Sequence, residues 1–538
     1  MKHLDKITGR HEADHENKTD VAATFKVAAA SVAMENRQFW RAIGYDGLFK
    51  LVHEPSGQFL LDRGAAKRTI KYLRTHFTFS NRDPADAKFG GSVCGRVMTI
   101  KEDGTATYDF THVNRTFREY VKRGMKPIVE FDFFPDGLCG SGQEQANDEG
   151  FATYTGLIKH WNLWSELLHR FMENLEKTFG KDELRTWYFE IWNEPDAMSG
   201  EQSKQLYRMY DIFAHTLKAF DPAYKVGGPA TYKLHALKGF LDHVTSGTNH
   251  VTGKPGSPID FVSHHLYGVS GSWLTQGPRI LPLASTFSAN MLWLQRLMDE
   301  YKSLKVEIHL NEWGECSHGD TKFVAQFPQL YYRNTEYSAL LMVKLVDCLK
   351  TIESAYGFRT ELLLFWGACF NASMPEFFIG SRDLTTAGNV PKPILTGWEM
   401  LTRLGGSFLP VEGPMVGGRH GLLAAKDERG IQLLAYNFNE TDDDEGREDV
   451  IEIALDGLSA RAYAVCETRL DRHHHNTYRE WERLGSPVKA DERTVAVLMA
   501  TAELQPDNRF CLEATGGCAR LSVRIPRHGM VLFELSAE

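Results

Sequence analysis

The sequence predicts an α/β fold: a (β/α)8 TIM barrel joined to an accessory all-β sandwich. Three observations carry this. Eight short apolar runs alternate with helical patterns from about residue 38 to residue 404, and eight such units close a parallel barrel. Two of the runs end abruptly in Asn-Glu, at Asn193-Glu194 and Asn311-Glu312. After about residue 405 the texture changes to short strand-like runs separated by turn residues, the pattern of a sandwich.

The size agrees with this division, because 538 residues exceed one ordinary core. The expected domains are 1–36, a tail and strand joining the sandwich; 37–405, the barrel; and 406–538, the sandwich. A net charge of −9 with no long basic tract argues against a nucleic-acid partner. No apolar run is long enough to cross a membrane. The first 35 residues hold neither an apolar leader segment nor a cleavage pattern, so a cytoplasmic location is expected. The eight cysteines are scattered without a C-x-x-C pair and read as free thiols. Cys511 and Cys518, flanking a Gly-rich turn, are the one plausible pair.

Along the chain, the first twenty residues are polar. His11-Glu12-Ala13-Asp14-His15 matches the H-E-x-x-H zinc pattern but has no apolar helix face to seat it, so no metal is expected there. Residues 21–32 are rich in Ala and Val and read as a strand. Barrel strands are expected at 41–45, 71–77, 127–133, 186–192, 225–228, 260–265, 305–310 and 362–366. Residues 161–179 read as a helix, with Leu163, Leu167, Leu168, Phe171, Met172 and Leu175 at helical spacing. Sandwich strands are expected at 431–438, 450–454, 462–466, 495–499, 520–525 and 529–535. The acidic run 442–445 reads as a hairpin tip. His473-His474-His475 reads as a surface loop, because no neighbouring ligand spacing completes a metal site.

Function in such a barrel sits at the C-terminal ends of the strands. The groups expected there are His76, Phe133, Asn193, Glu194, His265, Tyr267, Asn311, Glu312 and Trp366. The run Trp187-Tyr188-Phe189-Glu190-Ile191-Trp192-Asn193-Glu194-Pro195 is the clearest case. Pro195 stops the strand by removing a ladder donor and leaves a carboxylate at its mouth among aromatics. Burial there disfavours the charged form and suits an acid that must hold its proton. Glu312 supplies a second strand-end carboxylate, and paired carboxylates are the equipment of glycoside hydrolysis. Glu190 shares the parity of Glu194 but lies below the rim, where a supporting role is expected. Glu315 is expected in the loop after Trp313-Gly314, a poorer place for a nucleophile.

These residues resemble family 39 glycoside hydrolases, which include β-xylosidases and α-L-iduronidases. The resemblance rests on Trp187–Pro195, on Gly124-Met125-Lys126-Pro127 through Glu130, and on Val226-Gly227-Gly228-Pro229-Ala230-Thr231. Ser263-His264-His265-Leu266-Tyr267 and Lys392-Pro393 with Trp398 complete it. It implies that Glu194 is the general acid/base and Glu312 the nucleophile. It also implies that Asn193 bonds the sugar 2-hydroxyl, that Tyr267 bonds the nucleophile, and that His265 and His76 line the sugar site. Phe133 and Trp366 would wall it. The family's acidic stretch after the eighth strand is absent from 367–376, where only Glu376 offers a carboxylate. The expected activity is that of a retaining exo-glycosidase, a β-xylosidase acting on short xylo-oligosaccharides without cofactor or metal. The rivals are the same chemistry on an arabinosyl, glucosyl or galactosyl unit, a non-catalytic carbohydrate-binding protein, and a zinc hydrolase using His11 and His15.

Overall fold

The computed structural model describes residues 21–538 apart from 80–96, 136, 140–156, 198–200, 270–283, 318–327, 415–417 and 441–446. The H-E-x-x-H match, the acidic run 442–445 and Cys94 lie outside the described residues.

All eight expected barrel strands form. They are β1 (Ala42–Gly44), β2 (Tyr72–Thr75), β3 (Lys126–Phe131), β4 (Tyr188–Ile191), β5 (Lys225–Thr231), β6 (Phe261–Val269), β7 (Glu307–Cys316) and β8 (Thr360–Trp366). They close a barrel in chain order, and every pairing is parallel. Both faces of the strands are covered, so they read as continuous apolar runs rather than alternating ones. The helix Trp161–Phe179 forms with its expected apolar stripe buried.

Inside the barrel the lower layers are aromatic and aliphatic: Ala42, Ile128, Tyr188, Phe261, Leu362 and Leu364 pack together, and Trp366 joins them from the level of Arg74 above. Gly44 is required here, because a Cβ at that position would stand 2.3 Å from the Trp366 ring. Above this layer the inward positions become charged. Period-two alternation carries Tyr72 to Arg74 and His76, Ile128 to Glu130 and Asp132, and Tyr188 to Glu190.

Two strands run further than expected. β6 continues to Val269 and β7 to Cys316, so Glu312 and Glu315 both lie within a strand. The expectation of Glu315 in a loop is therefore corrected. The pairing of β6 with β7 slips at this point, His264 opposing Leu310 and His265 opposing Glu312. Asn311 is the extra residue of a bulge. The bulge lets Asn311 and Glu312, neighbours in sequence, both face the barrel interior.

Of the remaining described strands, four pair into two short two-stranded sheets, Met98–Ile100 with Ala106–Tyr108 and Thr385–Thr386 with Val390–Pro391, and the others form a four-stranded sheet and a seven-stranded sheet. They enclose a second core that includes Phe25, Val27, Leu433, Ile453, Val465, Val523 and Phe533. Val21–Ala28 lies between Val411–Glu412 and Glu448–Asp456, pairing parallel with the latter. Its burial alternates, Ala23, Phe25 and Val27 facing in. The expectation of a strand at 495–499 is wrong: the residues belong to the helix Glu492–Ala502. Asp491 caps it by accepting from the Thr494 N–H at 2.8 Å, and Leu498 and Ala502 are buried one turn apart. Helical spacing and a cap outweigh the strand preference of valine. Cys511 and Cys518 are exposed free thiols, so the plausible pair does not form. No described helix is long and apolar enough to cross a membrane.

Candidate active site

Arg74, buried on β2, organises the charged layer. Its Nε donates to Glu190 Oε2 at 2.7 Å, its Nη1 to Glu312 Oε1 at 2.7 Å and its Nη2 to Asn193 Oδ1 at 3.0 Å. Nη2 also lies 2.5 Å from Glu130 Oε1. Burial works against its charge, but Glu130, Glu190 and Glu312 outweigh that and raise its pKa. Glu190 also accepts from Asn311 Nδ2 at 2.6 Å. It thus braces Arg74 on β2 and the bulge on β7, the supporting role expected of it. Removing one partner from such a cluster leaves an uncompensated buried charge, at a cost of about 3–5 kcal/mol.

Glu312 is 4% exposed and has donors on both oxygens. Oε1 takes Arg74, and Oε2 takes the Tyr267 hydroxyl at 2.8 Å. His76 Nε2 and His265 Nδ1 stand 3.5 Å and 3.4 Å away.

Glu194 sits just beyond β4 in a different setting. Trp192 and Glu194 both have positive φ, 62° and 45°, a strained conformation for residues other than glycine. The Glu194 N–H is held by the Ala230 carbonyl at 3.0 Å. Its side chain is one-third open, 33% exposed, yet its surroundings are dense. Burial raises its carboxyl pKa above the ordinary range, against the opposing charges of His76, Arg74 and Arg382. His265 Nδ1 lies 2.8 Å from Glu194 Oε1. Burial pushes the His265 pKa down to about 3, so the ring is neutral and adds no charge to the pair. Oxygens of Glu194 and Glu312 and a nitrogen of His265 lie within 4.8 Å of one another.

Behind the pair, His76 Nδ1 stands 3.0 Å from Glu130 Oε2 and 3.5 Å from Asp132 Oδ2. Burial lowers the affinity of His76 for its proton, and Glu130, Asp132 and Asp46 more than restore it, so its pKa is raised. Trp366 packs 4.6 Å from the His76 ring and Phe133 5.8 Å from it. His76, Glu130 and Asp132 also have metal-ligand spacing, but Arg74 already occupies Glu130 and would repel a cation.

Comparisons with known proteins identify the family. The family model described as glycosyl hydrolases family 39 matches residues 24–516. The chain belongs to glycoside hydrolase family 39. Among similar proteins, a β-xylosidase of Caldicellulosiruptor saccharolyticus is 25% identical over 421 residues, 77% of this chain and 80% of that protein. The human α-L-iduronidase is 24% identical over 512 residues, 86% of this chain and 71% of that protein. A monomeric β-xylosidase from Caulobacter crescentus shares the fold with a TM-score of 0.76 at 21% identity, covering 96% of this chain and 99% of that chain.

Of the residues the sequence pointed to in this family 39 chain, Glu194, Glu312, Asn193, His265, Tyr267, His76 and Trp366 come together at the barrel mouth. Asn193 spends its carbonyl on Arg74, and its amide nitrogen has no protein partner among the described residues. Phe133 is 2% exposed and packs against His76, Phe77 and Trp192, behind the ring that faces the site. Glu376 is half-buried and its backbone bridges to Lys489; no hydrogen bond of the carboxylate pair among the described residues involves it. Glu315 is buried behind the barrel, with Arg333 Nε 3.8 Å away. His474 and His475 turn inward to Asp471 and to the Arg469 carbonyl, as befits a closed loop.

Sequence reasoning missed Arg74, Glu130, Asp132 and Arg382 as site residues. The first three were within reach, since each lies an even number of places from an inward position of its own strand. Arg382 lies in irregular chain after β8, where no period points to it. It bonds Asp46 Oδ2 at 3.1 Å and the Ser317 carbonyl at 3.0 Å.

Proposed function

We propose that this family 39 hydrolase is a retaining exo-glycosidase, a β-xylosidase releasing xylose from short xylo-oligosaccharides. The observation that carries the mechanism is the proximity of Glu194 and Glu312, with oxygens within 4.8 Å of one another. Retaining enzymes hold their carboxyls about 5–5.5 Å apart, whereas inverting enzymes leave room for a water.

In the first step Glu312 attacks the anomeric carbon while Glu194 gives its proton to the glycosidic oxygen. The bond from carbon to that oxygen breaks, and a glycosyl ester forms on Glu312. In the second, Glu194, now ionised, takes a proton from water; the water oxygen attacks the anomeric carbon and frees Glu312. Arg74 and Tyr267 hold Glu312 aligned before attack. The Asn193 amide is free to donate to a sugar hydroxyl next to the reacting carbon.

The xyloside reading draws on the β-xylosidase relatives. A second reading, a sugar bearing a carboxylate, has the α-L-iduronidase relatives and buried Arg382 in its favour. Arg382 is already engaged by Asp46, which favours the neutral sugar. A panel of aryl glycosides, neutral and uronic, decides between them, with the product anomer followed by NMR. Preferred cleavage of aryl β-xyloside with release of β-xylose first is the expected result. Initial α-xylose would sink the retaining mechanism, and a preference for a uronide would sink the sugar assignment.

A further inference from the structure

At the opposite end of the barrel from the carboxylate pair, a polar cavity of about 490 Å³ opens beside the start of β1. The ends of the helices Pro55–Ala66 and Pro393–Thr402 and the turn between Asp427 and Gly430 wall it. Six cationic side chains line it against three acidic ones. Four of the cations are neutralised: Arg37 by Glu353 at 2.7 Å, Lys67 by Glu503 at 2.8 Å, Arg403 by Glu534 at 3.2 Å and Arg429 by Asp427 at 2.6 Å.

Arg41 and Arg68 are not. Neither has a carboxylate partner among the described residues. The guanidinium of Arg41 has one contact, Nη1 to Gln38 Oε1 at 3.4 Å, and its buried Nε has no hydrogen-bond partner. Burial and the charge of Arg68 push the Arg41 pKa down to about 10, so the two arginines repel each other across the cavity.

Cations often gather at helix C-termini to satisfy the last carbonyls. That role is already filled here. Gln38 Nε2 takes the Thr402 and Leu404 carbonyls at 2.9 Å each, and Arg429 takes the Arg403 carbonyl at 2.9 Å. A structural role therefore leaves the Arg41–Arg68 pair unexplained. An oxyanion between them would satisfy the orphaned Nε, cancel the repulsion and use the fork geometry in which guanidinium meets phosphate.

We propose that this cavity is a binding site for a phosphate group, held by Arg41 and Arg68. Isothermal titration calorimetry of the full chain at fixed ionic strength tests it, with inorganic phosphate and glucose 6-phosphate as separate titrants. Saturable one-to-one binding is expected, weakened at least about 10-fold by Arg41→Gln and by Arg68→Gln. Aryl-glycoside turnover of both variants should be unchanged. Tighter binding of glucose 6-phosphate would assign the site to a phosphomonoester, and equal binding of both to free phosphate. Arg68 is exposed, so Arg68→Gln keeps the test decisive if Arg41→Gln fails to fold. No saturable heat from either titrant, or wild-type affinity in Arg68→Gln, overturns the proposal.

Discussion

The end of β4 and the middle of β7 deliver the same chemical group to the same place by different means. Glu194 arrives beyond the last ladder bond, on backbone bent through two positive-φ residues. Glu312 arrives inside a strand, turned inward by the bulge at Asn311. The settings differ as the approaches do. Glu312 is buried with donors on both oxygens; Glu194 is one-third open with a neutral histidine as its nearest partner. Two identical side chains within 4.8 Å thus meet unlike surroundings, one bonded by donors on both oxygens and the other with its carboxyl pKa raised by burial.

The strongest way to break the comparison is Glu312→Gln. It removes the nucleophile and should lower kcat/KM for an aryl glycoside by on the order of 10⁴-fold or more; near-wild-type turnover would remove Glu312 from its role. Next is Glu194→Ala, which should lose about 10²–10⁴-fold on poor leaving groups and far less on activated ones, with azide restoring the rate. A uniform loss without rescue contradicts the acid/base assignment. The same variant sharpens the pH argument. The raised Glu194 pKa keeps its proton at higher pH than an ordinary glutamate, so wild-type rate on poor leaving groups should fall as pH rises through it. That basic limb should vanish in Glu194→Ala; its persistence would assign it to another group.

Tyr267→Phe is a smaller perturbation confined to the β7 side. Losing a hydrogen bond to a charged group costs about 1.5–3 kcal/mol, or roughly 10- to 100-fold in kcat, on good and poor leaving groups alike. A loss confined to poor leaving groups would place Tyr267 with Glu194 instead. The smallest effect is expected from a chelator, which should leave the rate unchanged. Inactivation restored by a divalent cation would assign a metal to one of the two carboxylate–histidine clusters.

All eight barrel strands were legible in the sequence because a strand buried on both faces is a short apolar run between turn signals. Their upper ends were not. β7 continues through Asn311 and Glu312, which look like loop because they are polar for chemistry rather than exposure, and β6 runs on through Leu266-Tyr267-Gly268-Val269, where the glycine reads as a stop. Glu194 was legible through the abrupt Asn-Glu-Pro stop. Arg74 was hidden because a single arginine in an apolar run reads as an edge, and only three-dimensional convergence of Glu130, Glu190 and Glu312 explains its burial. The helix at Val495 was misread because Thr494, Val495 and Val497 near its start suit a strand equally well, and the deciding cap, Asp491, lies outside the run.

The strand Val21–Ala28 has a consequence for how the chain is made. Phe25 pairs beside Ile453, so the whole barrel sequence is synthesised between the two halves of one sheet. The strand emerges early, with Ala23, Phe25 and Val27 forming an apolar edge that nothing yet covers. Its sheet closes only after residue 526 has emerged, when Cys518–Pro526 pairs with Glu448–Asp456. The barrel strands lie in chain order between this strand and its parallel partner, so the strand's apolar edge waits uncovered until the barrel sequence has been made, a period in which it is open to aggregation.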